Sequence, residues 1–170
     1  MYQRCLIAVL LVIILDGCMT PTPEETAQDP FIGTWELNVS KSNFTPALLE
    51  AFGISKPQQE TIVVRDLNRD EIEAAVTGSY IDGALNSQIQ RVHKQGGIVK
   101  FQQGGPPEGS YYVETKISEK EKYRTRLQNG NQVQVSHFVI SKDGKILNIA
   151  ITGVDDQGNP FNGLYLFEKQ

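Results

Sequence analysis

From residue 31 onward, short stretches of alternating apolar and polar residues follow one another along the chain. Glycine-bearing turns such as Ile81-Asp82-Gly83 and Lys142-Asp143-Gly144 separate these stretches at intervals of roughly 12 to 21 residues, the length of one strand plus a hairpin turn. Asp-Gly and Asn-Gly sequences tolerate the positive φ that such turns need. The alternation predicts about ten strands, at residues 31–39, 59–66, 71–80, 84–93, 97–103, 110–117, 120–127, 132–141, 145–154 and 160–168.

One segment, between the first two predicted strands, has the pattern of a short helix. Thr45 is suited to cap it, Pro46 fits its first turn, and Gly53 ends it after residues 47–52. Helices do not alternate with the strands, which argues against a parallel sheet. The sequence therefore predicts an all-β fold in which hairpin-linked strands close into an up-and-down antiparallel barrel without free edges. A two-sheet sandwich is the main alternative.

Strand parity also assigns side chains to the two faces of the predicted barrel, because alternate residues of a strand point to opposite sides. On five strands, the more apolar face includes a tyrosine or a histidine. Aromatic side chains with polar tips in an apolar wall are typical of small-molecule pockets, since a buried hydroxyl needs a partner. We therefore predict five ligand-binding residues, Tyr80, Tyr111, Tyr123, His137 and Tyr165. The alternative is that these side chains lie at strand ends with their polar atoms in water.

The same parity places Arg124 and Arg126 on the outer face, beside Lys120 and Lys122. Charged side chains usually remain in water unless they are paired. The pattern predicts a solvated basic strip on the outside of the barrel.

The N-terminus has a different pattern. An unbroken apolar run of eleven residues, Cys5 to Leu15, follows Arg4. It is too short to span a bilayer as a helix, which takes about 20 residues, but it fits the apolar region of a signal peptide. An ordinary secretory signal and an uncleaved anchor are alternatives to the interpretation that follows.

The run ends at Leu15-Asp16-Gly17-Cys18, which resembles the bacterial lipobox. The resemblance implies a diacylglyceryl group on the Cys18 sulfur, cleavage after Gly17, and acylation of the new terminus, as by palmitate. Asp16 departs from the pattern, because that position usually holds a small or aliphatic residue. The expected location is the bacterial cell envelope, with the membrane as a partner through the lipid anchor and the outer membrane as its site.

Three regions are therefore expected: a signal peptide at 1–17, a lipidated Cys18 with a flexible tether at 18–30, and a barrel domain at 31–170. The tether contains three prolines and few apolar side chains, which is typical of a linker. Its last twelve residues reach roughly 40 Å when extended.

Composition excludes several classes of function. The net charge of -4 gives no electrostatic reason to expect a nucleic-acid partner, because a DNA or RNA binder usually shows a basic face. Both cysteines lie in the first 18 residues, and the two histidines, His93 and His137, fall on separate strands without the recurrent spacing of metal ligands. The chain has no phosphate-binding loop and no Gly-x-Ser-x-Gly elbow. We expect no metal, no cofactor and no enzymatic activity, with catalysis by spatially adjacent carboxylates as a minor alternative.

The first predicted strand carries a family resemblance. Gly33-Thr34-Trp35-Glu36-Leu37-Asn38 resembles the opening strand of the lipocalin and calycin group. With Lys41-Ser42-Asn43-Phe44, the segment 141–145 and the ending 167–170, the chain resembles a group of exported, lipocalin-like bacterial proteins of unknown function. In lipocalin-like proteins this tryptophan plugs one end of the barrel, which implies that Gly33 and Trp35 belong to the structural core.

The fold and the resemblance lead to two functional hypotheses. The first is a membrane-anchored binding protein whose barrel holds a small hydrophobic or amphipathic molecule. The second is a structural or interaction protein of the cell envelope, with a filled barrel and no ligand. A measured cavity would separate them.

Overall fold

A computed structural model describes residues 28–170, and these residues form one antiparallel sheet of twelve strands that curves into a nearly closed barrel. The predicted all-β class and the barrel are therefore confirmed, whereas the signal peptide, Cys18 and most of the tether lie outside the described residues. The elements are β1 (Gly33–Leu37), β2 (Asn43–Phe44), α1 (Pro46–Phe52), β3 (Pro57–Asp66), β4 (Glu71–Tyr80), β5 (Leu85–His93), β6 (Gly96–Ile98), β7 (Lys100–Gln103), β8 (Ser110–Ser118), β9 (Glu121–Gln128), β10 (Asn131–Ile140), β11 (Ile146–Val154) and β12 (Pro160–Lys169).

Strand pairing follows the chain as a meander, and the first strand closes the circle by pairing with both β12 and β3. The two ends of the sheet are β6 and β7, which are consecutive in the chain. β6 pairs with β8, whereas β7 pairs with β5. The single strand predicted at 97–103 is therefore wrong, because the segment changes partner at Val99, whose amide donates to the Tyr112 carbonyl at 2.9 Å. The count of about ten strands also misses β2, a two-residue strand that pairs with β12.

The predicted helix is present as α1, with the predicted caps. The Thr45 hydroxyl accepts a hydrogen bond from the Leu48 amide at 3.2 Å, and Gly53 ends the helix in the left-handed conformation at φ 62°. Leu48 is fully buried against β12, so α1 covers one end of the barrel. Within residues 28–170, no helix is long and apolar enough to cross a membrane.

The opposite end of the barrel is filled by a dense apolar core. Trp35 is fully buried there, and its indole N–H donates to the Phe31 carbonyl at 2.9 Å. The Lys169 ammonium lies 4.9 Å from the centre of the indole ring. At Gly33, φ is 136°, and a Cβ atom would approach the Lys169 side chain to 2.7 Å, so the backbone here favours glycine. We call this the closed end, and the end covered by α1 the mouth.

Candidate functional site

A cavity of about 430 Å³ lies inside the barrel, between the closed end and α1. This volume falls within the range of about 300–1,000 Å³ that is typical of small-molecule sites. Apolar side chains from β4, β10, β11 and β12 form much of its wall, including Val76, Phe138, Ile149, Ile151 and Phe161. At the mouth, Phe52 of α1 packs edge to face on Phe161, with ring centres 5.5 Å apart. The barrel is therefore not filled by its own side chains.

Two of the five predicted ligand-binding residues line this cavity, Tyr80 and Tyr165. Tyr165 packs edge to face on Phe44 with ring centres 4.9 Å apart, and burial raises the pKa of its phenol above the ordinary value. Burial also raises the pKa of Tyr80. Both side chains present a neutral hydroxyl in a wall that contains apolar and polar side chains. Their role in binding remains a prediction.

The other three, Tyr111, Tyr123 and His137, lie on the outside of the barrel, and their predicted inner position is wrong. Tyr111 is 42% exposed. The rings of Tyr123 and His137 stack with their centres 4.2 Å apart, and His137 Nε2 lies 2.8 Å from a carboxylate oxygen of Glu121. This is a cross-strand surface pair, because the two residues lie opposite each other on β9 and β10.

The predicted inner positions of Tyr111, Tyr123 and His137 are wrong because β8, β9 and β10 turn their more polar face toward the interior of the barrel. The alternation itself is correct, but the assumption that the apolar face points inward fails on these strands. Side chains on the inner face of the three strands include Tyr112, Glu114, Arg124, Arg126, Gln134 and Ser136. Arg124 and Arg126 therefore face the interior instead of forming the predicted solvated strip.

A buried ion-pair cluster lies below the cavity, toward the closed end. Glu114 accepts a hydrogen bond from Lys122 at 2.9 Å on one carboxylate oxygen and from Arg124 Nε at 2.9 Å on the other. Burial alone would raise the pKa of Glu114, but the charges and hydrogen bonds of Lys122 and Arg124 outweigh burial and lower the pKa to about 2. Glu114 is thus ionised at neutral pH, and its charge balances one of the two cations.

Arg126 has no such partner among the described residues. Its hydrogen bonds there are two contacts from Nη2, to the Ser110 hydroxyl at 3.4 Å and to the Gln128 side-chain oxygen at 3.3 Å. Both acceptors are neutral, and both distances exceed the usual range of about 2.7–3.2 Å. The buried Nε atom has no acceptor in residues 28–170. Arg126 is therefore a cation at the cavity wall without a carboxylate to neutralise it.

Unpartnered polar atoms are concentrated around the cavity. Buried polar atoms in proteins are nearly always hydrogen-bonded, so exceptions require an explanation. Across residues 28–170, four buried side-chain polar atoms lack a partner, and three of them belong to residues that line the cavity, Gln90, Arg126 and Gln134. The two glutamines each leave the side-chain oxygen without a donor. The sequence analysis missed all three residues, because an isolated Gln or Arg on a strand gives no signal of its own.

An acid near the mouth completes the polar lining. Glu60 accepts a hydrogen bond from the Asn86 side chain at 3.2 Å. Burial raises the pKa of Glu60 to about 7, and the hydrogen bond from Asn86 offsets this only in part. The proximity of Glu60 contributes to the raised pKa values of Tyr80 and Tyr165, so the three groups lie on one side of the cavity.

Replacing Glu60 with glutamine is expected to change how stability depends on pH. The unfolded chain releases this proton near pH 4.5 and the folded chain only near pH 7, so the wild-type free energy of unfolding should fall between these values as pH rises. Glu60→Gln removes this contribution, on the order of 3 kcal/mol, and should be more stable than the wild type above pH 7. Urea unfolding on both sides of this window measures the effect. The control is Glu50→Gln, because Glu50 is an exposed acid on α1. If the free energy of unfolding of Glu60→Gln depended on pH as strongly as that of the wild type, Glu60 would not titrate in this way.

The arrangement does not indicate a metal centre. Within residues 28–170, no group of three or more His, Cys, Asp or Glu side chains is placed to hold a metal ion.

No family model matches this chain, and no curated protein matches it with significant similarity. Solved structures of one protein match its fold. The fluorescent protein UnaG superposes with a TM-score of 0.57 at 12% identity, covering 82% of this chain and 97% of that chain. A mutant of UnaG gives a TM-score of 0.58 at 13% identity, covering 83% and 96%. The siderocalin Ex-FABP gives a TM-score of 0.42 at 15% identity, covering 83% and 71%.

At identities this low, the likeness to UnaG establishes the fold alone. The chain has a calycin-type β-barrel fold, in agreement with the resemblance of its first strand. The described residues therefore form a barrel with an interior cavity. The lining of this cavity combines apolar side chains with unpaired polar groups.

Proposed function

We propose that this protein is a lipid-anchored lipoprotein of the bacterial cell envelope whose barrel binds one small amphipathic molecule. The observation that carries the proposal is the cavity of about 430 Å³, in which apolar side chains and unpartnered polar atoms share one wall. A barrel filled for packing alone would leave neither the volume nor the unpaired atoms, because both lower stability. The hypothesis of a filled barrel without a ligand is therefore disfavoured.

The lining sets the properties of the ligand. Apolar side chains of β11 and β12, with Phe52 of α1, offer a surface that favours hydrocarbon or aromatic groups at about 25 cal/mol per Å² buried. Gln90, Gln134 and Arg126 need hydrogen-bond partners that a purely apolar molecule does not supply. An amphipathic ligand satisfies both parts of the wall.

The cavity is tested by binding of N-phenyl-1-naphthylamine, a neutral aromatic dye whose fluorescence rises in apolar surroundings. We expect one dye molecule per barrel. Val76→Phe adds volume inside the cavity, and Val63→Phe makes the same change at a 40%-exposed position on β3. The first variant should weaken dye binding and the second should not, with thermal unfolding confirming that both are folded. Absence of dye binding, or equal binding by both variants, would contradict a ligand-binding cavity.

The anchor is proposed from Leu15-Asp16-Gly17-Cys18 behind the apolar run. The chain enters the barrel at the closed end through Phe31, so the mouth lies at the end away from the tether. A tether that reaches roughly 40 Å would leave the mouth free of the membrane surface.

Cys18→Ala is expected to move the protein from the membrane fraction to the soluble envelope fraction, or to leave it unprocessed, because no sulfur remains to accept the diacylglyceryl group. Fractionation with immunodetection measures the shift. Mass spectrometry of the wild-type protein should find a lipidated Cys18 at the N-terminus. A free Cys18 thiol, or an unlipidated terminus, would disprove the anchor while leaving the binding cavity unaffected.

A further inference from the structure

We infer that the ligand is an amphipathic organic anion whose acidic group binds Arg126 inside the barrel. This inference rests on the proposed function and names the chemical class of its ligand. The group it requires is an oxyanion, such as a carboxylate, sulfonate or phosphate, on an apolar body.

The first observation is the contrast between two inward arginines of one strand. Arg124 forms an ion pair with the buried carboxylate of Glu114, which it shares with Lys122. Arg126, two residues further toward the mouth, has no carboxylate within ion-pair distance among the described residues. A guanidinium stays charged at every physiological pH. Arg126 is only partly exposed and its Nε atom is buried, so the missing counter-charge has a cost. A ligand oxyanion would remove that cost.

The second observation is the local excess of positive charge. The inner faces of β8 and β9 carry four cations, Lys116, Lys122, Arg124 and Arg126. Glu119 pairs with Lys116, which leaves three cations against the single carboxylate of Glu114. The whole chain, in contrast, has a net charge of -4. Three further carboxyls line the cavity, Glu60, Asp155 and Asp156. The raised pKa of Glu60 leaves it partly neutral near pH 7, and among the described residues none of the three lies within ion-pair distance of Arg126. The excess of cations on the inner faces of β8 and β9 therefore favours an anion over a neutral molecule beside Arg126.

The third observation is the set of groups beside Arg126. Tyr112 and Gln134 lie directly opposite it on the two neighbouring strands, so the three side chains form one row across the cavity wall. Neighbours in such a row have Cβ atoms about 4.5–5.5 Å apart. The row places a cation, a phenol and an amide within reach of one acidic head group, while the apolar side chains of β11 and β12 remain for the body of the ligand.

Two dyes that differ by one acidic group test the inference. 1-Anilinonaphthalene-8-sulfonate has the same aromatic skeleton as N-phenyl-1-naphthylamine plus a sulfonate. We expect the wild-type protein to bind the sulfonate dye more tightly. Arg126→Gln should weaken the binding of the sulfonate dye by about tenfold or more, because it removes a hydrogen bond to a charged group. It should leave the affinity for the neutral dye nearly unchanged. Arg126→Lys, which keeps the charge, should retain part of the preference.

Arg65→Gln is the matched control, because Arg65 is 70% exposed on the outer surface. It should leave the binding of both dyes unchanged. Thermal unfolding provides a second readout: Arg126→Gln should melt no lower than the wild type, because it removes an unpaired charge, whereas a purely structural arginine would lower the melting temperature when replaced.

Competition then separates the chemical sources of the oxyanion. Decanoate, decyl phosphate and the neutral decanol compete against the bound sulfonate dye. Stronger displacement by either acid than by decanol supports the inference and identifies the preferred head group. Equal displacement by all three, or an Arg126→Gln variant that weakens both dyes alike, would overturn it and leave the proposed cavity standing. Failure of both dyes to bind the wild type would overturn the proposed function itself.

Discussion

Replacing Trp35 with alanine is expected to lower the free energy of unfolding by about 3–5 kcal/mol, as is usual for a large buried aromatic side chain. Trp35 is fully buried at the closed end, where it belongs to the same apolar cluster as Phe31 and Phe167 and lies beside the Lys169 ammonium. Removal of the ring leaves a void at the junction of β1 and β12. It also removes the only side-chain hydrogen bond to the Phe31 carbonyl within the described residues.

Urea unfolding of Trp35→Ala followed by circular dichroism measures the effect, since tryptophan fluorescence is lost with the ring. Tyr111→Ala is the control, because Tyr111 is an aromatic residue on the exterior of β8. Tyr111→Ala should lower the free energy of unfolding clearly less than Trp35→Ala does. A change of only about 0.5 kcal/mol for Trp35→Ala, as at an ordinary surface site, would mean that the closed end is not the stabilising core described above.

Glu114→Gln is the second change with a large expected effect, a loss of about 3–5 kcal/mol. The carboxylate accepts hydrogen bonds from both Lys122 and Arg124, whose side chains are largely buried. Neutralising it leaves two cations inside the barrel without a counter-charge. The loss should be measurable as a lower urea midpoint at neutral pH.

The stability of Glu114→Gln should also depend on acidic pH differently from that of the wild type. The folded-state pKa of Glu114, about 2, lies below its ordinary value of 4.5. The stability that this carboxylate contributes is therefore present above pH 4.5 and lost progressively as pH falls toward 2. Glu114→Gln should lack that part of the acid dependence.

Glu119→Gln provides the comparison, because Glu119 forms its ion pair with Lys116 at the surface, with 71% of its side chain exposed. Exposed pairs contribute about 0–1 kcal/mol. If Glu114→Gln were no more destabilising than Glu119→Gln, the buried cluster would not hold β8 and β9 together.

Most of the barrel is predictable from the sequence for a simple reason. Each strand is short and its alternation has a period of two. Four of the turns contain glycine next to Asp or Asn, at Gly83, Gly130, Gly144 and Gly158, so most strand positions follow from local chemistry. The helix α1 is equally local, since Thr45 and Gly53 fix its two ends. The division of the predicted strand 97–103 into β6 and β7 at Val99 does not follow from local sequence. It depends on the pairing of β6 with β8 and of β7 with β5.

The candidate site is only half predictable. On β4 and β12 the inner face is apolar, and parity correctly places Tyr80 and Tyr165 inside the barrel. On β8, β9 and β10 the inner face carries Glu114, Arg124 and Gln134, so the same reasoning selects the wrong side. A single sequence does not show that these charges neutralise one another across strands.

The wrong choice of inner face on β8, β9 and β10 is informative, because sequence rules are expected to fail where function opposes packing. Two of the three strands with reversed polarity, β9 and β10, bring Arg126 and Gln134 to the cavity, and the third, β8, brings Tyr112. A barrel selected for stability alone would not keep unpaired polar atoms there.

The position of a bound dye tests the central claim most directly. A crystal structure of the protein with N-phenyl-1-naphthylamine should show one dye molecule inside the barrel, in contact with Phe138, Ile149 and Ile151 and below α1. The exterior offers a competing surface, since Ile81, Leu85 and Ile98 are all more than half exposed. A dye found against those side chains, with the interior of the barrel unoccupied, would contradict the account.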